Sequence, residues 1–208
     1  MARGDGVVRA AYAPAPGPSG NRGGALTGGR GRRTAAGVAF GCAFAYGAMK
    51  LDWALGGTFL MRQTPLPRAA RDDLLNRTAD AVLGHWTSVA LAVVGMAAAL
   101  HLSGRFRPHG GIRRGVLLAG SWAGCLFMVS RAIGLLGYGF CHDLRLLTGA
   151  VSVPPPAADL ARYEAGWDLL LWSPYWLVFG ICWGLAARHY QRAGPGRPGL
   201  RATAEGHG

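Results

Sequence analysis

The sequence predicts an all-α membrane protein: a bundle of four transmembrane helices with both termini in the cytoplasm. Half of the residues are hydrophobic, although the formal net charge is +12. Arginines are concentrated in the tails and short connections, and four long stretches between them carry almost no charge. About 20 apolar residues in a helix cross the hydrocarbon of a bilayer. We therefore predict transmembrane helices over about 34–56, 81–104, 115–138 and 167–187.

Each apolar stretch has its own limits. The first is uncharged from Thr34 to Met49, the second has no charge at all, and the third is interrupted only by Arg131. The fourth follows Asp168 directly and has Pro174 in its first turns, where proline is tolerated. The pair Arg32-Arg33 before the first stretch is also typical of an export signal, but the long preceding tail and the absence of an early cleavage site favour a retained helix.

The segments outside these helices are of two kinds. Residues 1–33 are rich in Gly, Pro and Arg without apolar periodicity, and residues 191–208 form a basic tail, so we predict disorder for both. In the two connections that we place outside the cytoplasm, short surface helices are predicted around Ala69–Leu75 and, after three prolines, around Ala158–Ala165.

Loop charge predicts the orientation. The N-terminal tail has six Arg and one Asp, and the connection 105–114 has four Arg and no acid. The connection 62–80 balances four Arg with three Asp, and 142–168 is net acidic. Basic loops stay in the cytoplasm, so the protein is expected to be a multi-pass protein of the cell membrane. This distribution favours membrane lipid as a partner over nucleic acid, despite the Arg-Gly run at 28–33.

Small residues predict where the helices approach one another. Gly37/Gly41, Gly120/Gly124, Gly180/Gly184 and the weaker pair Gly95/Ala99 all have the spacing of helix-packing motifs, and all lie in the predicted cytoplasmic half. The outer halves carry bulky and polar side chains instead. We therefore expect a bundle that is closed toward the cytoplasm and has a polar, aromatic-lined cavity in its outer half.

Charged residues inside the predicted helices are the candidates for chemistry. Lys50, the only lysine of the chain, and Asp52 are candidate catalytic residues, because either could transfer a proton. A charge at this depth requires a partner or water, and we expect Asp52 to pair with Arg131 and Lys50 with Asp168. The alternative is that the basic side chains extend to the outer headgroups and form no site.

The expected ligand-binding residues surround these charges. They are Trp53, His85, Trp86, Arg131, Tyr138, Asp168, Trp172 and Tyr175. The alternative for the aromatic members is the belt of Trp and Tyr that anchors helices at a membrane interface. The four cysteines are scattered and no catalytic or cofactor motif is present, so neither a metal nor a cofactor is expected. His85, His142 and Asp143 could meet as metal ligands, but their spacing gives no support for this.

Two short segments resemble a known family. Lys50-Leu-Asp-Trp-Ala-Leu-Gly-Gly-Thr58 resembles the first-helix motif of a family of bacterial four-helix integral membrane proteins that contain a domain of unknown function. Trp172-Ser-Pro-Tyr-Trp176 is similar to the last helix of that family. The resemblance covers about residues 34–190 and implies the four-helix architecture, but it implies no particular activity.

Three functions are compatible with these features. The first is binding of, or action on, a small lipophilic molecule in the outer half of the bundle. The second is a structural or accessory subunit without a site of its own, whose basic tails contact a membrane partner or anionic lipid. The third is a small dimeric transporter; this homo-oligomer would be required because four helices are few for a transport path.

Overall fold

The computed structural model describes residues 22–106, 112–155 and 157–193, with side chains from residue 30 onward. All regular elements within these ranges are helical. The α-helices are α1 (Arg22–Ala54), α2 (Arg68–Leu75), α3 (Ala79–Leu102), α4 (Ile112–Ile133), α5 (Phe140–Leu147), α6 (Ala158–Trp167) and α7 (Ser173–Arg192). A 3₁₀ turn forms at Met61–Gln63, and a π-helical turn at Asp168–Trp172 joins α6 to α7.

Four helical segments are long and apolar enough to cross a membrane. They are the part of α1 from Arg30, α3, α4 and the continuous path from Ala158 to Arg192. This confirms the all-helical class and the four apolar helices, and helices also form at both predicted sites in the connections, as α2 and α6. Of the segments predicted to be disordered, 1–33 and 191–208, residues 1–21 and 194–208 lie outside the described residues. The prediction is wrong for the remainder that is helical, because α1 begins at Arg22 and α7 continues to Arg192.

The third apolar stretch does not continue as one helix to residue 138, as the sequence predicted. α4 ends at Ile133, and Gly134, Gly137 and Gly139 all have positive φ, which L-residues rarely adopt. A side chain at Gly139 would also collide with the carbonyl oxygen of Arg131. The glycines therefore reverse the chain, and α5 folds back beside the end of α4.

The four long helices pack as a row in the order α3, α1, α7, α4. α1 contacts α3 and α7 along its length, α4 contacts α7, and α3 touches α7 only briefly. In the apolar stretches, 39% of the residues of α1 and of the α6–α7 path are buried, against 6% for α3 and 11% for α4. α1 and α7 thus form the centre, and the outer helices expose most of their surface.

The close approaches differ from those expected of the glycine pairs. A methyl group added at Gly180 would lie 2.9 Å from Val129 Cγ2, and one at Gly184 would lie 2.8 Å from Cys125 Sγ, so this pair brings α7 against α4 as predicted. Gly37, Gly41 and Gly120 face open space, and the prediction for them is wrong. The buried face of α1 is made of alanines, at positions 35, 36, 39 and 43.

The connection after α1 is folded tightly over the helix ends. Trp53 Nε1 donates to the Phe59 carbonyl at 2.7 Å, and Trp172 Nε1 donates to the Gln63 carbonyl at 2.7 Å. Arg71 Nη2 lies 2.6 Å from Glu164 Oε1 and ties α2 to α6. These bonds make the outer connections part of the packed structure.

Candidate functional site

The two ends of the helix row differ in charge. One end comprises the C-termini of α1 and α4, the N-terminus of α3, and α2, α5, α6 and the π turn; every Asp and Glu of the described residues lies there, and we call it the acidic end. The opposite end comprises the N-termini of α1 and α4 and the C-termini of α3 and α7. Its charged residues with described side chains are all arginines, and we call it the basic end.

Arg131 and Asp168 form a buried ion pair at the acidic end. Arg131 Nη2 donates to Asp168 Oδ1 at 2.8 Å and Nη1 donates to Oδ2 at 3.2 Å, a bidentate arrangement. Asp168 has no exposed surface, and Ser173 Oγ also donates to its Oδ2, at 3.2 Å. The predicted pairs Asp52–Arg131 and Lys50–Asp168 are therefore wrong.

The π turn explains how Asp168 reaches this position. Pro174 has no amide hydrogen for an α-helical bond, and the chain changes register just before it, with Ser173 N–H bonded to the Asp168 carbonyl. Asp168 and Ser173 consequently share one side of the helical path, the side that faces α4.

Asp143 completes this cluster. It is 3% exposed, and its side chain lies against that of Asp168. Its Oδ2 meets no donor among the described residues. Burial, the hydrogen bond to Asp168 and the charge of Asp168 raise the pKa of Asp143 to about 8. The raised pKa favours the neutral form of the Asp143 carboxyl group at neutral pH, and in that form it can donate to Asp168.

Tyr138 borders the same cluster on its exposed side. The Arg131 guanidinium lies 5.7 Å from the centre of the Tyr138 ring, within the range of a cation–π contact. His142 lies edge-on to that ring at 6.4 Å. Tyr138 is itself 38% exposed. Tyr138 and His142 therefore lie next to the Arg131 side of the cluster.

Lys50 lies apart from this cluster, near the C-terminus of α1. Its Nζ is 4.1 Å from the centre of the Trp53 ring and 5.5 Å from that of Tyr46. Neither of the two salt bridges of the described residues includes Lys50. The ammonium group is half-buried against aromatic rings, and no carboxylate of the described residues forms an ion pair with it.

Asp52, the other candidate catalytic residue, is engaged by the backbone. Its Oδ2 accepts the Phe59 N–H at 2.9 Å, and its carboxylate occupies the space beside Gly57. The side chain thus closes the turn that follows α1.

The predicted aromatic walls are mostly packed together. Trp53 and Trp172 are buried and donate to the connection after α1, and Tyr175 Oη donates to the Cys42 carbonyl at 2.6 Å. His85 lies edge-on to Trp53 at 5.3 Å. Trp86 is 46% exposed, as expected of an interface anchor. The aromatic cluster of the acidic end therefore forms core, with its buried polar atoms bound to carbonyl groups.

Two cavities lie away from the predicted aromatic residues. One, of about 160 Å³, is lined by Leu146, Val151, Arg162 and neighbouring residues of α5, α6 and the segment between them. A larger groove, of about 430 Å³, lies at the basic end beside Trp122 and Arg188. Within the described ranges, no three His, Cys, Asp or Glu side chains are close enough to hold a metal ion.

Sequence reasoning missed the grouping of Asp143 and Ser173 with the ion pair. Three glycines between residues 134 and 139 were the available signal, because they indicate a chain reversal that returns the following residues to the end of α4.

The comparisons with known proteins add no relative. No protein-family model matches the chain, and no curated protein or solved structure matches it significantly. The chain is therefore described by what its own structure shows, an all-helical protein with four helices that are apolar enough to cross a membrane.

Proposed function

We propose that this multi-pass membrane protein binds a small lipophilic anion at Lys50, in the outer half of the membrane, with the basic end in the cytoplasm. The observation that carries the proposal is an ammonium group within a membrane-crossing helix that has aromatic neighbours but no carboxylate. The orientation rests on the confinement of the described Asp and Glu residues to one end, which leaves the arginines of the other end without acidic neighbours.

The energetics favour an anionic ligand. A lysine in the middle of a membrane helix costs about 2.5–3.5 kcal/mol on insertion scales. Contact with aromatic rings returns about 0.5–2 kcal/mol. Lys50 is four residues from the end of α1, about 6 Å along the axis, so its cost lies below the full value. The remaining deficit would be offset by a ligand carboxylate or phosphate beside Nζ.

The lipophilic character of the ligand follows from the surroundings. Lys50 faces the rings of Tyr46 and Trp53, and His85 follows on the adjacent α3. α3 is 6% buried in its apolar stretch, so a molecule dissolved in the bilayer could approach along it. An anion with an apolar tail fits this route along α3. The resemblance to the four-helix family remains a separate prediction.

The single lysine allows a direct test. Reductive methylation modifies only Lys50 and the N-terminal amine, so oleate should slow methylation of Lys50 and leave the N-terminal amine unchanged. Oleyl alcohol, with the same chain and no charge, should not protect. Oleate should also raise the melting temperature of the wild type and of Arg145→Met, which removes an exposed cation of α5, but not that of Lys50→Met.

An equal rate of Lys50 methylation with and without oleate would exclude the site. It would favour the second candidate, a structural or accessory subunit. That function is supported by the carbonyl-bound Trp53, Trp172 and Tyr175, which have no donor left for a ligand, and by the wide exposed faces of α3 and α4.

A further inference from the structure

The basic end contains a groove that the proposed function does not use. It measures about 430 Å³ and is lined by Trp122 of α4 and by Arg188, Gln191 and Arg192 of α7. No Asp or Glu among the described residues lies at this end. The groove therefore lies in a region of uncompensated positive charge.

Arg188 and Arg192 form a pair of like charges. They are four residues apart on α7 and thus occupy one face, where like charges repel. Neither takes part in a salt bridge with any residue that the structure describes. An anion between the two guanidinium groups would remove the repulsion and could accept hydrogen bonds from both.

The polarity of the groove changes along the helix axis. The Trp122 ring lies 3.7 Å from the position of a methyl group at Gly184, one turn before Arg188. Four residues correspond to about 6 Å along α7, and Arg192 lies four residues further. Trp122 is 38% exposed. Moving outward from the membrane interior, a ligand would meet an indole ring first and two guanidinium groups next.

A neighbouring arginine stabilises the floor of the groove. Arg114 Nη2 donates to the Gln191 carbonyl at 2.8 Å and to the Tyr190 carbonyl at 3.3 Å, and its guanidinium lies 5.4 Å from the Tyr190 ring. These bonds satisfy carbonyl groups at the end of α7. They fix α7 against α4 and leave Arg188 and Arg192 available.

We propose that this groove binds the headgroup of an anionic phospholipid. Arg188 and Arg192 hold the phosphodiester, and the first methylene groups of an acyl chain lie on Trp122. Basic pockets between membrane helices recognise such headgroups, and an indole beside them matches the boundary between headgroup and chain. The site is independent of Lys50, which lies at the opposite end of α1.

The test measures the melting temperature of the full chain in an uncharged detergent while phosphatidylglycerol is added. Phosphatidylglycerol should stabilise the wild type, and the half-saturating concentration should rise about tenfold to thirtyfold in Arg188→Gln/Arg192→Gln. The control Arg62→Gln/Arg68→Gln removes two exposed arginines from the acidic end and should behave as wild type.

Two further arms identify the ligand. Phosphatidylcholine should not saturate the site, and glycerol phosphate, which carries the phosphate without acyl chains, should not stabilise. Trp122→Leu should also weaken the stabilisation by phosphatidylglycerol. This variant can be used for the test if Arg188→Gln/Arg192→Gln does not fold. The proposal would be overturned if both double variants responded equally to phosphatidylglycerol. It would also be overturned if phosphatidylcholine or glycerol phosphate stabilised the protein as much as phosphatidylglycerol does.

Discussion

Removing one partner of the Arg131–Asp168 pair should be among the most destabilising single changes in this protein. Arg131→Met deletes both guanidinium bonds, at 2.8 and 3.2 Å, and leaves a carboxylate with no exposed surface. Breaking a buried pair by removing one partner costs about 3–5 kcal/mol. In a chain of this length, 1 kcal/mol shifts the melting temperature by about 2–4 °C, so the expected decrease is about 6–20 °C.

The chain contains a control pair. Arg71 and Glu164 share one hydrogen bond of 2.6 Å, and both side chains keep some exposure, 19% and 15%. In the Arg131–Asp168 pair only Arg131 keeps some exposure, 15%, and Asp168 is fully buried. Because both partners of the control pair remain in contact with water, Arg71→Met should cost less than Arg131→Met, about 1 kcal/mol, which corresponds to about 2–4 °C in melting temperature. The comparison separates the effect of burial from the loss of an arginine.

A double-mutant cycle completes the experiment. Asp168→Asn removes the charge that Arg131 compensates, so Arg131→Met/Asp168→Asn should cost less than the two single changes together. Thermal unfolding of the four purified proteins measures this coupling. Strict additivity, or an equal loss for Arg71→Met and Arg131→Met, would refute the assignment of Arg131 and Asp168 as a buried energetic pair.

Two further predictions follow from Asp143 and from the contact of α7 with α4. The folded protein retains the Asp143 proton up to about pH 8 and the unfolded chain releases it near pH 3.8, so this residue makes stability fall as pH rises through that window, by up to about 1.4 kcal/mol per pH unit. Asp143→Asn should flatten the pH dependence of the melting temperature, and the exposed control Asp73→Asn should not; identical profiles would contradict the raised pKa of Asp143. Gly180→Leu should lower the melting temperature, because even a methyl group there meets Val129, whereas Gly120→Leu should be tolerated; equal losses would contradict the packing of α7 on α4.

Composition and periodicity were sufficient for the class of this protein. Runs of about 20 apolar residues have few stable alternatives to membrane-crossing helices, because each backbone polar group must be bonded within its own segment. α2 and α6 were also predictable, since short amphipathic stretches stand between turn-forming residues. These features are local, and each is decided within a single stretch of chain.

The pairing of charges was decided only by the tertiary structure. Arg131 could have met either Asp52 or Asp168, which both belong to the acidic end, and one-dimensional spacing does not distinguish them. Two local departures from regular helix determined that Arg131 pairs with Asp168. The glycine reversal after Ile133 returned Asp143 to the end of α4, and the π turn rotated Asp168 toward Arg131.

The sequence pattern also did not predict which helices make close contacts. Glycine spacing identifies a smooth helix face but not which neighbour covers it, so Gly180 and Gly184 contact α4 whereas Gly37 and Gly41 face open space. The sequence by itself determined that four apolar helices form and that the described acidic residues collect at one end of them. The tertiary structure decided which faces meet, because burial of a face depends on the rotation and order of whole helices, which no single segment encodes.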